Sequence, residues 1–291
     1  NNPSATPIEE IKETHNNGVV ADPVDLSTGS HIIENSLFDF AEGVDLNLTA
    51  KYNSSRLVKG SLGVGWYHNF EKSLQVKSEN VIWVFDGPSV YSVYVRDESS
   101  DEFICQSPGK NHYVLTKQTD GSYILNCGYN QTETYDLAGR LVKIESRTKM
   151  VTTISYTDTT ITITDMLTNQ HIYLTLDDEK KVTKVSDDAG REVILGYTND
   201  YLTTIQDVNG TTLIYTYNDE GRIESGYDSN NVGFFKNTYD DMARVICQYD
   251  GVAGSRPTLF SYGDNGVVTV TNRNGFQSTR VFDANHQLIS Y

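Results

Sequence analysis

This chain of 291 residues has only three cysteines and three methionines, and no apolar run of 18 residues. Lacking such a run, it has no segment fit to cross a membrane as a helix. Cys105, Cys127 and Cys247 are odd in number and form no C-x-x-C pair, which excludes a dense disulfide framework. Cys105 and Cys127 are placed to pair as neighbours on hairpin strands; buried free thiols are the reading that the sparse, odd set favours. Positive charge is also short, with 23 Lys and Arg against 39 Asp and Glu and a formal net charge of −16. Phosphates would be repelled by such a surface, so nucleic acid is excluded as a partner. The excess of acid serves solubility, or, as a sharper alternative, lines a cage for a basic guest. Neither Met, a charged n-region nor an apolar h-region opens the chain at Asn1, and no signal peptide is expected.

Catalytic and cofactor signatures are missing as well. Gly63-Val64-Gly65 lacks a third glycine and a following helix, so it reads as a tight turn that lets Trp66 pack on a sheet, not as a dinucleotide loop. His15, His31, His68, His112, His171 and His286 are scattered without metal-ligand spacing. His68 is the one singled out for testing, with a structural hydrogen bond as its expected role. The acid pairs Asp177-Asp178, Asp187-Asp188 and Asp240-Asp241 could serve as acid and base or bind calcium. They recur at expected turns, and turn chemistry accounts for them. No Gly-x-Ser-x-Gly element is present. Asn47, Asn53, Asn130 and Asn209 head glycosylation tripeptides, which an Asn- and Thr-rich chain produces by chance. No cofactor and no metal are expected.

What the chain does have is a phrase that returns about every 20 residues, the mark of an array of one small unit. Its clearest copies are Tyr135-Asp136-Leu137-Ala138-Gly139-Arg140-Leu141, Tyr217-Asn218-Asp219-Glu220-Gly221-Arg222-Ile223 and Tyr239-Asp240-Asp241-Met242-Ala243-Arg244-Val245. Weaker copies start at Tyr156, Leu176, Tyr197, Tyr262 and Phe282. Strict alternation leads into each, as in Val193, Leu195, Tyr197 and in Leu213, Tyr215, Tyr217, which specifies a strand with one buried face. After the turn the apolar spacing becomes three (Leu141 and Ile144, Val182 and Val185, Leu202 and Ile205), which predicts a bulge or a late strand start. Second turns follow at residues 187–190, 207–210 and 272–275. One repeat is therefore one β-hairpin. A lone hairpin is marginal in water, so successive hairpins should lie side by side in one long antiparallel sheet that twist curls into a spiral, with the tyrosines packed as a ladder. The fold class is all-β. Ahead of the array, residues 8–14 are expected to form one or two helical turns, and Val81-Ile82-Trp83-Val84-Phe85 to form a central strand paired with residues 90–95.

These residues closely resemble the YD-repeat (Rhs) family, named for the pair seen at Tyr135-Asp136 and Tyr239-Asp240. Asp22-Pro23-Val24-Asp25-Leu26-Ser27-Thr28-Gly29 resembles the segment that precedes such repeats. Lys51-Tyr52-Asn53-Ser54 with Gly60-Ser61-Leu62-Gly63-Val64-Gly65-Trp66-Tyr67-His68-Asn69 resembles a second opening element, Lys51 standing where Arg is more usual. The likeness covers residues 21–291. It implies a spiralling β-shell, as in bacterial toxin proteins whose shell encloses a C-terminal toxin, in insecticidal toxin-complex cages and in animal teneurins. The Asp-Pro-x-Gly-Leu segment that ends toxin-bearing members, often self-cleaving, does not occur here. The resemblance thus implies the N-terminal piece of a longer shell.

Three segments are expected: a polar 1–20, an opening β region 21–130 and an array 131–291 cut in mid-repeat. The repeat residues are Tyr135, Asp136, Gly139, Arg140, Tyr197, Tyr217, Gly221, Arg222, Tyr239, Asp240 and Arg244. The opening residues are Asp22, Pro23, Gly29, Tyr52, Gly63, Gly65, Trp66 and His68. The expected function is a non-enzymatic scaffold that encapsulates or displays an effector polypeptide. Its partners are the rest of its own chain, the enclosed effector and, through an open sheet edge, further copies of itself. Secretion or a place on the cell surface follows from the resemblance. An adhesin or glycan-binding array is the alternative, decided by where the tyrosines point. A β-rich glycosidase, the third possibility, would need paired acids outside the repeat rhythm, and none is seen.

Overall fold

The computed structural model describes residues 8–9, 19–20, 23–40, 46–129, 131–251 and 254–291. It is all-β; among the described residues the one helical element is a 3₁₀ turn at Asp264–Gly266. Of the helix expected at residues 8–14, Ile8–Glu9 is instead a short strand parallel to Val90–Arg96, and residues 10–14 lie outside the described residues.

From Lys72–Ser78 to Leu288–Ser290 each strand pairs antiparallel with the next in sequence, and with Ile8–Glu9 this makes one sheet of 23 strands. The pairing is local because every connection is a hairpin whose turn is set by its own residues. Val81–Asp86 is central, bonded to Lys72–Ser78 on one side and Val90–Arg96 on the other. The sheet does not divide at residue 130: hairpins without the Tyr-Asp phrase enter it as readily as those with it. A second, five-stranded sheet of Val19–Val20, Val24–Asp25, Ser30–Asp39, Asn47–Asn53 and Trp66–His68 ends just before the long sheet begins.

Of the two causes expected for the spacing of three, the structure shows the bulge. Tyr135 pairs with Leu141 while Thr134 pairs with Lys143, which leaves Val142 as an extra residue. The same register shift follows Leu176, Tyr197, Tyr217, Tyr239 and Phe282. A bulge resets side-chain parity, so both Val182 and Val185, or both Leu202 and Ile205, reach the buried face. That face is packed against the opening region. Leu48, Tyr52, Leu62, Trp66 and Phe70 of the opening region share one core with Leu141, Ile163, Leu174, Leu202, Tyr215 and Phe235 of the array. Val24 and Leu26 form a second core with Val245, Phe260, Val270 and Phe282.

Candidate functional site

The tyrosine phrase assembles into a repeating device along one rim of the sheet. At five of the bulged turns the tyrosine of the next unit serves the carbonyl of the first residue after the turn. Tyr156 Oη donates to Leu141 O (2.8 Å), Tyr197 to Val182 O (2.6 Å), Tyr217 to Leu202 O (2.6 Å), Tyr239 to Ile223 O (2.8 Å) and Tyr262 to Val245 O (2.8 Å). A buried backbone carbonyl left alone is costly, so the hydroxyl gives tyrosine a role that phenylalanine lacks. Tyr135 is the exception: it is fully buried and donates to Glu133 Oε2 at 2.6 Å.

The acid and base of the phrase fix the turn. Asp136 Oδ1 accepts the amides of Ala138 and Arg140, while its Oδ2 takes two guanidinium N–H groups of Arg140 at 2.9 and 2.7 Å. Asp240 and Arg244 repeat this geometry. Burial raises both acids, but the amides and the guanidinium outweigh it and hold each below the usual carboxylate range. Each guanidinium then lies over the ring of the following unit, Arg140 at 4.7 Å from Tyr156 and Arg244 at 4.4 Å from Tyr262. In the copy that starts at Tyr217, Asn218 replaces the acid: it still accepts the Arg222 amide, but Arg222 Nε is buried without a hydrogen-bond partner among the described residues. The first acid of each pair caps its turn, Asp177 and Asp187 in the same way as Asp240, whereas Asp188 bonds His171 and Tyr173.

The opening region runs back along this rim as a strap. Ser27 O lies 2.8 Å from His286 Nδ1, and Gly29 O accepts from Val245 N–H at 2.8 Å. Tyr52 Oη accepts from Ile223 N–H at 3.0 Å and Ser61 O from Val182 N–H at 2.9 Å. Val64 N–H donates to Asp200 O at 2.9 Å and Leu74 N–H to Gly139 O at 2.7 Å. Three post-turn residues, Val182, Ile223 and Val245, thus have their carbonyl served by the next tyrosine and their amide by the strap. Lys59 adds an ion pair to Asp200 at 2.7 Å. This close seating explains the glycines: at Gly29 (φ +74°) an added Cβ would lie 2.4 Å from Arg244 Cβ, and at Gly63 (φ +98°) 2.6 Å from Asp200 O.

The remaining opening residues lock the strap down. Gly65 turns the chain beside Tyr52, and Trp66, fully buried, packs at a tilt with its ring 5.3 Å from that of Tyr215 and donates to Tyr217 Oη at 3.1 Å. Pro23 O accepts from Ile32 N–H; Asp22 lies outside the described residues. His68 is buried, its Nδ1 accepts the Phe70 amide, and desolvation lowers it to about 4. Gly221 meets the Tyr201 hydroxyl across the rim.

Sequence reasoning missed the latch at the start of the array. Lys72 Nζ meets Glu133 Oε1 at 2.8 Å, and Glu133 is 2% exposed. The signal was present: in Gln131–Tyr135 the acid shares parity with Tyr135 and so had to point inward. Glu71 was missed as well. It accepts the Ser61 amide and hydroxyl, and burial raises it to about 7. Cys105 and Cys127 are free and buried. The strand Val114–Lys117 separates theirs, so roughly two strand spacings of ~4.8 Å lie between them, beyond disulfide reach. No group of three His, Cys, Asp or Glu among the described residues could hold a metal ion.

Comparison with known proteins identifies one domain. A family model described as a domain of unknown function, DUF6531, matches residues 21–90, which are the strap and the first hairpin of the long sheet. No curated protein matches the chain. Among solved structures, the Tc holotoxin pore of Photorhabdus luminescens is similar over 89% of this chain and 19% of its own, at 9% identity and a TM-score of 0.28. A candidate 6-phosphogluconolactonase from Bacteroides fragilis is similar over 88% and 93%, at 10% identity and a TM-score of 0.13. This chain spans about a fifth of the length of the first, and neither likeness amounts to a shared overall fold.

Proposed function

We propose that this chain is a non-enzymatic scaffold, the opening part of a YD-repeat β-shell that encapsulates or displays an effector polypeptide outside the cell that makes it. The observation that carries the reading is the strap. A wall made of hairpins extends without limit, but its rim leaves backbone groups open wherever a bulge interrupts the ladder. Here the chain's own first segment folds back and serves those groups across the repeats, which is what the closed end of a shell requires. An effector held behind such a wall stays apart from solvent until the wall opens. The ladder tyrosines turn inward, with their hydroxyls on backbone carbonyls, and this disfavours the repeat itself as a glycan-binding array.

Intact mass and limited proteolysis of the native gene product test the proposal. The expected result is a C-terminal polypeptide that resists protease while the β-sheet is folded and is digested once it is unfolded. A product with no protected polypeptide, or one whose further sequence is a cell-wall anchor, overturns encapsulation.

A further inference from the structure

The rim opposite the strap consists of solvated turns, and one gap between two of them differs from the rest. Asp165, Asp187, Asp207 and Asp228 cap four successive turns on this rim, each accepting a backbone amide two residues on. The two turns before them are capped by neutral groups. Asn126 Oδ1 accepts the Gly128 amide, and Ser146 Oγ accepts the Met150 amide. With the capping carboxylates gone, residues 140–150 carry Arg140, Lys143, Arg147 and Lys149 against the single acid Glu145, within a chain of net charge −16. Glu145 is engaged by Lys143 and Lys149 at 2.8 Å each, and Arg140 by Asp136. Arg147 alone has no ion pair or hydrogen bond among the described residues.

Between these turns lies a groove of about 270 Å³, lined by Asn126, Tyr129, Gln131, Thr132, Glu145 and Arg147 among others. Tyr129 is 87% exposed and, unlike the ladder tyrosines, makes no ring or hydroxyl contact among the described residues. The volume falls below the roughly 300–1,000 Å³ of sites for drug-sized ligands and suits one sugar ring. The Thr132 hydroxyl and the Asn126 amide nitrogen have no partner among the described residues and are free to meet hydroxyl groups. A guanidinium in want of a partner selects a carboxylate, which it binds through two parallel N–H groups.

We infer that the groove between residues 126–129 and the turn at 147–150 is a binding site for a single acidic saccharide, its ring stacked on Tyr129 and its carboxylate held by Arg147. The site is independent of the ladder and strap, so it stands or falls separately from the shell function.

The test is an NMR titration of the whole chain with N-acetylneuraminic acid, D-glucuronate, D-galactose and inorganic phosphate. Saturable millimolar binding of one of the two acidic sugars is expected, with shifts confined to residues 126–132 and 145–149 and galactose weaker by about tenfold. Arg147→Ala should abolish the preference for acid over galactose, and Tyr129→Ala should abolish sugar binding while leaving the amide spectrum of the array unchanged. No saturable binding of either acidic sugar overturns the inference. Equal binding of galactose removes the role of Arg147, and phosphate binding as tightly as the sugars removes that of Tyr129; either result also overturns it.

Discussion

The two rims of the long sheet are made by the same strands and by turns of the same chemistry, yet one is sealed and the other open. At most turns of the sealed rim an Asp or Asn caps the turn and a bulge follows, and the strap and the next tyrosine take backbone groups there. On the open rim Asp also caps the turns, but the exposed residues include Met166, Leu167, Val208, Val232 and Phe276. Turn chemistry therefore decides where the chain reverses, not which rim is buried. Burial was decided by the bulge, which frees backbone groups on one rim, and by a distant segment able to serve them.

The largest expected break in this contrast is Trp66→Ala. Loss of a fully buried indole from between strap and array should cost about 3–5 kcal/mol in chemical denaturation, whereas Val208→Ala on the open rim should change stability by less than about 0.5 kcal/mol. Equal losses at the two positions would remove the distinction between the rims.

Next in size is a pH effect confined to the strap. Glu71, raised from 4.5 to about 7, favours the fold below pH 4.5 and loses that contribution as the pH climbs through 7. His68, lowered from 6.5 to about 4, favours the fold above pH 6.5 and loses its contribution as the pH falls through 4. The two slopes oppose each other between pH 4.5 and 6.5, so the wild type should be nearly flat there. Glu71→Gln removes one slope, and its denaturation midpoint should climb with pH over the same window. A variant as flat as the wild type would show that Glu71 and His68 do not both stay neutral in the fold.

Tyr217→Phe leaves Leu202 O and Trp66 Nε1 short of a partner and should cost about 1–3 kcal/mol. Tyr173→Phe, whose hydroxyl meets an exposed Asp188, should cost under about 1 kcal/mol. A ladder tyrosine no more sensitive than Tyr173 would mean that water serves the freed carbonyls. The smallest effect should come from Asn218→Asp, which gives Arg222 the carboxylate that Arg140 and Arg244 have. A gain of about 0.2–1 kcal/mol is expected, lessened by salt, and a loss of stability would show that the strap holds Arg222 in some other geometry.

Much of this was legible beforehand. The period, the hairpin as its unit, the inward tyrosines and an irregularity after turns such as that before Val182 all follow from residues close in sequence, because alternation and turn chemistry act over a few residues. The spacing of Val182 and Val185 allowed a bulge or a late strand start, and the register shows that it is a bulge. The opening residues Gly29, Tyr52, Gly63 and Trp66 were picked out by resemblance, but nothing near them reveals what they touch. Tyr52 meets Ile223 across 171 positions and Trp66 meets Tyr217 across 151.

The sequence by itself thus determined the repeat, the order of the strands and the positions of the turns, since each hairpin carries its own instructions. Only the tertiary structure decided that the first segment fills the curled face and seals one rim. That pairing depends on which backbone groups the bulges leave open and on how far the sheet's twist carries them, and both are properties of the assembled sheet.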